Sequence, residues 1–222
     1  MGEAAVGRIE QVRRRLDEVL PRLATDAGCL VHDSVDHQGL DRNVDGLVAG
    51  PNDEMDWLSV DDEMLAYEID LVTDAGTLLL GRSTYGDFAS SWPAVAKDTA
   101  ADENQRTYAQ RVDAMDKVVV SRSGNTADWN NTQLLTDLDL DTITVLQSQP
   151  GEDIVVYGSL SLVNALDGLG MIDEYHLLIH PLLLHNGKPL LHGVDSRHLE
   201  LASADAFHSG VILAKYLSRS AQ

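Results

Sequence analysis

The sequence predicts an α/β domain with a mostly parallel central sheet and an antiparallel C-terminal edge. Three observations carry this. Short apolar runs recur along the chain and end in small or polar residues: Thr77-Leu-Leu-Leu-Gly81, Lys117-Val-Val-Val-Ser121 and Asp153-Ile-Val-Val-Tyr-Gly158. Segments of helical period lie between several of them. Near the C-terminus, residues 197–204 and 210–218 alternate and flank Ser209-Gly210, as two strands joined by a tight turn do.

Taken in order, residues 6–23 read as an amphipathic helix, with Val6, Ile9, Val12, Leu16, Val19, Leu20 and Leu23 near one face. We take residues 1–24 as an N-terminal helical extension and 25–222 as the domain proper. The extension reads either as an ordinary surface helix or as a docking or dimer helix. Cys29-Leu-Val-His-Asp-Ser-Val35 suits a short strand, and His37 to Asn43 is polar and turn-like. Gly46 to Pro51 is a short apolar run closed by a turn. Residues 60–72 suit a helix whose first turn holds Asp61 and Asp62, where the helix dipole favours anions. A second helix starts after Gly81. Thr142 to Leu146 reads as a strand, Leu160 to Leu169 as a helix and Tyr175 to Leu184 as a long strand.

Composition removes several functional classes. The chain has 36 acidic and 16 basic residues, a net charge of −20, so nucleic acids and anionic membranes are poor partners. That balance fits either a halophile or a merely acidic protein. No apolar run is long enough to cross a membrane. The first twenty residues are charged throughout, unlike a secretory leader, so cytoplasmic residence is expected. Cys29 is the only cysteine, which excludes an internal disulfide or a thiolate metal cluster.

The chemistry is expected where strands end. In open α/β sheets ligands bind at the carboxyl ends of the strands. Gly81-Arg82-Ser83-Thr84, Ser121-Arg122-Ser123 and Gly158-Ser159-Leu160 each follow a strand. Glycine lets a phosphate approach the backbone, the next helix supplies free N–H donors, and arginine offers a planar fork for phosphate. The three together suit a phosphorylated dinucleotide, although no GxGxxG fingerprint is present.

These segments, with Asp45-Gly-Leu-Val-Ala-Gly-Pro51, Asp56-Trp57-Leu58, Trp92-Pro93, Gly170-Met-Ile-Asp-Glu174 and Pro181-Leu-Leu-Leu-His-Asn-Gly-Lys188, resemble the dihydrofolate reductase family. They resemble most the branch that contains the C-terminal reductase domain of riboflavin biosynthesis. The likeness runs from about Val44 to the C-terminus. It implies a dihydrofolate-reductase-like fold with helices on both faces of the sheet. It also implies NADPH as cofactor, a pyrimidine- or pterin-type substrate and a homodimer. By the same resemblance, Asp45 and Gly46 lie beside the nicotinamide and substrate. Gly81, Arg82 and Thr84 hold the pyrophosphate, Ser121 and Arg122 the 2′-phosphate, and Gly158, Ser159 and Leu160 form the glycine turn beneath it. Trp57 lines the substrate side. Asp62 sits where dihydrofolate reductases grip the pterin, and is equally a helix-start residue. Proton delivery falls to Asp45, Asp62 or water.

The sequence also departs from the family. Asn43-Val-Asp-Gly46 stands for the usual Ser-Leu-Asp-Gly, and the preceding His32-Asp-Ser-Val-Asp-His-Gln-Gly-Leu-Asp-Arg42 is too polar for a central strand. Tyr157 replaces the first glycine of a Gly-Gly pair, where it would narrow the cofactor channel, and His185 replaces a turn glycine. His176 and His180 share a strand face and are read as half-buried or surface histidines, with no metal expected. Ser159 lacks the frame of a nucleophile elbow.

Overall fold

The computed structural model describes residues 29–32 (backbone only), 41–52, 54–58, 60–124, 128–148, 153–193 and 196–218. The helix expected at 6–23, and with it the extension of residues 1–24, lies outside the described residues.

The strands are β1 (Cys29–His32), β2 (Arg42–Asn43), β3 (Leu47–Ala49), β4 (Ala75–Gly81), β5 (Asp116–Val120), β6 (Thr132–Leu135), β7 (Asp153–Tyr157), β8 (Glu174–His180), β9 (Lys188–Pro189), β10 (Leu199–Ala206) and β11 (Ile212–Ser218). The helices are α1 (Asp62–Asp74), α2 (Arg82–Val95), α3 (Glu103–Ala114), α4 (Leu140–Gln147) and α5 (Leu160–Leu169). The main sheet runs β10-β11-β8-β1-β7-β4-β5-β6, with β2 alongside β8, while β3 and β9 pair separately. From β8 to β6 every pairing is parallel, and β11 and β10 close the sheet antiparallel. The α/β architecture with an antiparallel C-terminal edge is therefore present.

The central strands read as unbroken apolar runs because both sheet faces are covered. Val155 and Tyr157 of β7 join α1, α2 and α3 through Leu65, Phe88, Trp92, Tyr108 and Val112. Ile154 and Val156 join α4 and α5 through Ile143, Leu146, Val163 and Leu166. Alternation along one strand thus builds two cores on opposite faces.

One expectation about this framework is corrected. Residues 142–146 are helical, within α4. Asp139 decides this: its Oδ1 accepts the Thr142 backbone N–H at 2.8 Å and the Thr142 hydroxyl at 2.7 Å. That cap outweighs the β-branched composition of the segment. The short strand expected within residues 29–35 is present as β1, which sets the first strand upstream of the polar stretch. β1 lies between β7 and β8, parallel to both.

Candidate functional site

A cavity of about 820 Å³ opens at the carboxyl ends of β4, β5, β6 and β7. Gly81, Arg82, Ser121, Arg122 and Ser159 line it, so the three strand ends singled out in the sequence converge there. Two backbone features shape the junction. A Cβ on Gly81 would stand 2.2 Å from Ser159 Oγ and 2.8 Å from Ser159 Cβ. With φ of −75°, Gly81 is needed for close approach of the two turns and not for an unusual dihedral. Gly158 has φ of +59°, a left-handed conformation that turns β7 into α5.

The helix starts differ in how they are capped. Asp61 caps α1 through the Met64 N–H, Asp102 caps α3 through Asn104 and Gln105, and Asp139 caps α4 through Thr142. The caps of α2 and α5 are Gly81 and Ser159, and neither makes a side-chain capping hydrogen bond. Both of these open N-termini face the cavity. Each presents unpaired N–H groups and roughly half a positive charge. The exposed Arg82 and Arg122 add two full positive charges to the lining, which also holds the carboxylates of Asp137 and Asp139. Ser121 is buried, and its hydroxyl lies 3.1 Å from that of Ser123. Its backbone N–H donates to Leu135 O, tying the end of β5 to β6.

The opposite wall, Thr136, Asp137, Leu138 and Asp139, was not foreseen, because β6 went unrecognised. Two sequence assignments shift. Thr84 is buried within α2 and Ser83 lines the cavity in its place. Leu160 packs against the core, while Ser161 and Leu162 face the cavity. Tyr157 does not narrow the channel. It projects to the other face, donates its hydroxyl to Glu68 Oε2 at 2.8 Å and packs against Phe88. Glu68 is fully buried, and desolvation holds its carboxyl well above the usual range despite that hydrogen bond.

Asp45 and Gly46 stand apart from the cavity. The Asp45 carboxylate accepts the backbone N–H of His185 at 2.8 Å and of Leu184 at 3.4 Å, pinning the loop after β8. Gly46 has φ of +79° and donates its N–H to Asn43 O, closing a tight turn. His185 itself takes φ of +64°, the conformation the family's glycine would supply. Asp62 is exposed in the first turn of α1, and its neighbour Asp61 is the cap. Trp57 is half-buried and meets His180 edge-on, with ring centroids 5.3 Å apart. His176 and His180 have separate acidic partners, Glu174 at 2.9 Å and Asp41 at 2.8 Å. Among the described residues no group of three or more His, Cys, Asp or Glu is arranged to hold a metal ion.

Lys117, at the other end of the sheet, is a structural residue. Its Nζ donates to the carbonyls of Asp113, Met115 and Asn130 and sits 4.2 Å over the Trp129 ring. Burial lowers its pKa to about 8, opposed by Asp113 and Asp116. Among the described residues no helix is long and apolar enough to cross a membrane.

Comparisons with known proteins agree with this geometry. The chain is 32% identical over 174 residues to the "Uncharacterized protein YyaP" of Bacillus subtilis (strain 168), covering 78% of this chain and 89% of that protein. A candidate riboflavin biosynthesis protein from Shewanella sp. PV-4 superposes with a TM-score of 0.61 at 16% identity, over 87% of this chain and 99% of that one. A dihydrofolate reductase from Enterococcus faecalis, complexed with NADP(H), superposes with a TM-score of 0.52 at 12% identity, over 87% of this chain and 96% of that one. These two likenesses establish a dihydrofolate-reductase-like fold. The model of the RibD C-terminal domain matches residues 43–213, so the chain belongs to the RibD C-terminal domain family.

Proposed function

We propose that the protein is an NADPH-dependent reductase of a pyrimidine- or pterin-type ring, similar to the 5-amino-6-(5-phosphoribosylamino)uracil reductase of riboflavin biosynthesis. The observation that carries this reading is the pair of open helix N-termini. They meet across Gly81 and Ser159 on one cavity that also holds two arginines. A site for a dianionic pyrophosphate needs backbone donors, positive potential and the absence of side-chain bulk. At this junction the backbone donors of two helix starts, the neighbouring Arg82 and the lack of side-chain bulk meet those needs, with the carboxylates of Asp137 and Asp139 kept to the other wall, so the residues fit the cofactor.

In this reading the N-termini of α2 and α5 and Arg82 would hold the pyrophosphate. Ser121, Ser123 and Arg122 would hold the 2′-phosphate, where an arginine fork suits a phosphate monoester. The bound nicotinamide supplies the hydride. The chain's own work is to bind, align and exclude water. Asp45, engaged with two backbone N–H groups, serves to fix the loop after β8. The family name and the riboflavin assignment of the Shewanella protein support the substrate class, and the NADP(H) complex of the dihydrofolate reductase supports the cofactor. Membership of a homodimer belongs to the same proposal. The exposed Leu199, Leu201 and Ile212, which share one face of the β10–β11 hairpin, are the apolar surface on which a second copy would pack.

Titration with NADPH and NADH by calorimetry tests the reading, in low and in molar potassium chloride. Saturable binding that prefers NADPH is expected, and Arg122→Ala should reduce the preference about tenfold, the effect of one lost charge-assisted contact. A folded protein that binds neither nucleotide would overturn it.

A further inference from the structure

The carboxyl edge of the sheet carries a second polar cluster outside the cavity. His180, the last residue of β8, is in register with Asn43 of β2. Its Nε2 lies 2.8 Å from Asp41 Oδ1. Asp41 is fully buried and His180 nearly so, at 4% exposure. Two residues back on the same face of β8, Leu178 packs with Met64 at the start of α1, alongside Leu58. Trp57 closes on the His180 ring from the side.

Two buried donors in this cluster have no hydrogen-bond partner among the described residues: Asn43 Nδ2 and Trp57 Nε1. Asn43 is 0% exposed. Its Oδ1 accepts the Leu47 N–H at 3.0 Å, which fixes the amide and leaves Nδ2 aimed elsewhere. Buried polar groups are nearly always paired. Two orphaned donors beside a buried histidine–carboxylate pair mark a place where acceptor atoms are missing. Sheet order puts β8 two strands from β7, roughly 10 Å at ordinary strand spacing. The cluster is therefore beside the cavity, and none of its residues lines it.

Resting on the reductase reading, we propose that Asp41, Asn43, Trp57 and His180 hold the substrate's ring. Asn43 Nδ2 and Trp57 Nε1 donate to acceptor atoms of a planar heterocycle, carbonyl oxygens or ring nitrogens. His180 bonds the same ring through its second nitrogen, and Asp41 is the positioning residue that fixes the tautomer and angle of that imidazole.

The probe is 5,6-diaminouracil, titrated calorimetrically into full-length nucleotide-free protein, with nitrogen-15 signals of the histidine rings followed in parallel and NADPH affinity measured on every variant. Wild type should saturate, with a shift of the His180 ring signals. Trp57→Phe keeps an aromatic ring there and removes the N–H together with the five-membered ring that bears it; it should bind the probe about tenfold more weakly, as a site that has lost a donor does. His180→Gln should lose at least as much, and Asp41→Asn should move the His180 signals before any probe is added. NADPH affinity should stay within about twofold in all three, since their residues lie outside the cavity. Should His180→Gln fail to fold, Trp57→Phe still decides. Wild type that binds NADPH but not the probe would overturn this assignment and leave the cofactor reading standing. So would variants that bind the probe like wild type, or His180 signals that do not move. Loss of NADPH binding with the probe contacts intact would overturn the reductase reading while supporting this site.

Discussion

Among the described residues, three helices begin under an aspartate and two do not. α1, α3 and α4 have their first N–H groups taken by Asp61, Asp102 and Asp139. α2 and α5 begin at Gly81 and Ser159 with no such partner, and these two face the cavity together. An uncapped start forgoes about 1 kcal/mol of helix stability. A chain this rich in aspartate has the residue to hand, and its absence at both positions is what the proposed function requires, an external anion completing the cap there; α4, whose cap Asp139 lines the opposite wall, keeps its own carboxylate. The comparison teaches that a binding site can be found by asking where a protein leaves its own backbone unsatisfied.

The sharpest way to break the comparison is to fill the junction. Gly81→Ala puts a methyl group 2.8 Å from Ser159 Cβ, so rotation of the Ser159 hydroxyl cannot relieve the clash and the two turns must separate. NADPH affinity should fall by roughly a hundredfold, about 2.7 kcal/mol, read by calorimetry. The double variant Gly81→Ala with Ser159→Gly should recover most of it. A Gly81→Ala protein with unchanged affinity would show that the approach of the turns is incidental.

A milder change turns an open start into a capped one. Ser159→Asp gives α5 the residue its three capped counterparts have. In the nucleotide-free protein, stability to urea should rise by about 0.5–1 kcal/mol, because an orphan N–H gains a partner. NADPH should bind about thirtyfold more weakly, about 2 kcal/mol, because a fixed carboxylate occupies the anion's place. The signs are opposite, which a merely disruptive substitution would not produce.

Glu68, on the buried face of the capped helix α1, sharpens the contrast from the other side, as a buried acid that does not line the cavity. Burial raises its folded-state pKa above the reference of 4.5. A raised carboxyl contributes its stability fully below the unfolded pKa and loses it as pH rises through the folded one. Glu68→Gln keeps an acceptor for the Tyr157 hydroxyl and cannot ionise. Relative to it, wild type should become steadily less stable above about pH 4.5, by at most ~1.4 kcal/mol per pH unit. Parallel stability curves for the two proteins would contradict this.

Much of the above was legible in the sequence. β4, β5 and β7 announce themselves because a strand buried on both faces has no polar residue to blur it. Their ends at Gly81, Ser121 and Gly158 then locate the cavity. What failed was local. α4 looks like a strand because Thr142, Ile143, Thr144 and Val145 are β-branched, and one aspartate just outside the run decides otherwise. α3 was missed because Tyr108, Ala109 and Val112 are its only buried residues, too few for a visible stripe. With β6 unseen, the Thr136–Asp139 wall had no scaffold in the sequence. Thr84 and Leu160 were placed one residue out of phase with the cavity, since motif alignment does not say which side of a first helical turn faces a ligand. The Asp41–His180 pair spans most of the chain in sequence, and no spacing rule joins such residues before the fold does.

The smallest effect is expected at a capped end that does not line the cavity. Asp102 begins α3 and accepts the N–H groups of Asn104 at 2.9 Å and Gln105 at 3.3 Å. It is exposed, so no cavity is left by its removal. Asp102→Ala should cost about 1 kcal/mol of stability, a shift of ~2–4 °C in Tm for a chain of this size. It should leave NADPH affinity where it was, since α3 contributes nothing to the cavity. The value of this variant lies in its pairing with Ser159→Asp. Losing a cap at α3 should change stability alone, whereas gaining one at α5 should exchange affinity for stability. If Asp102→Ala also weakened nucleotide binding, helix capping would act on the cavity through the whole fold, and the local assignment of the two open N-termini would fail.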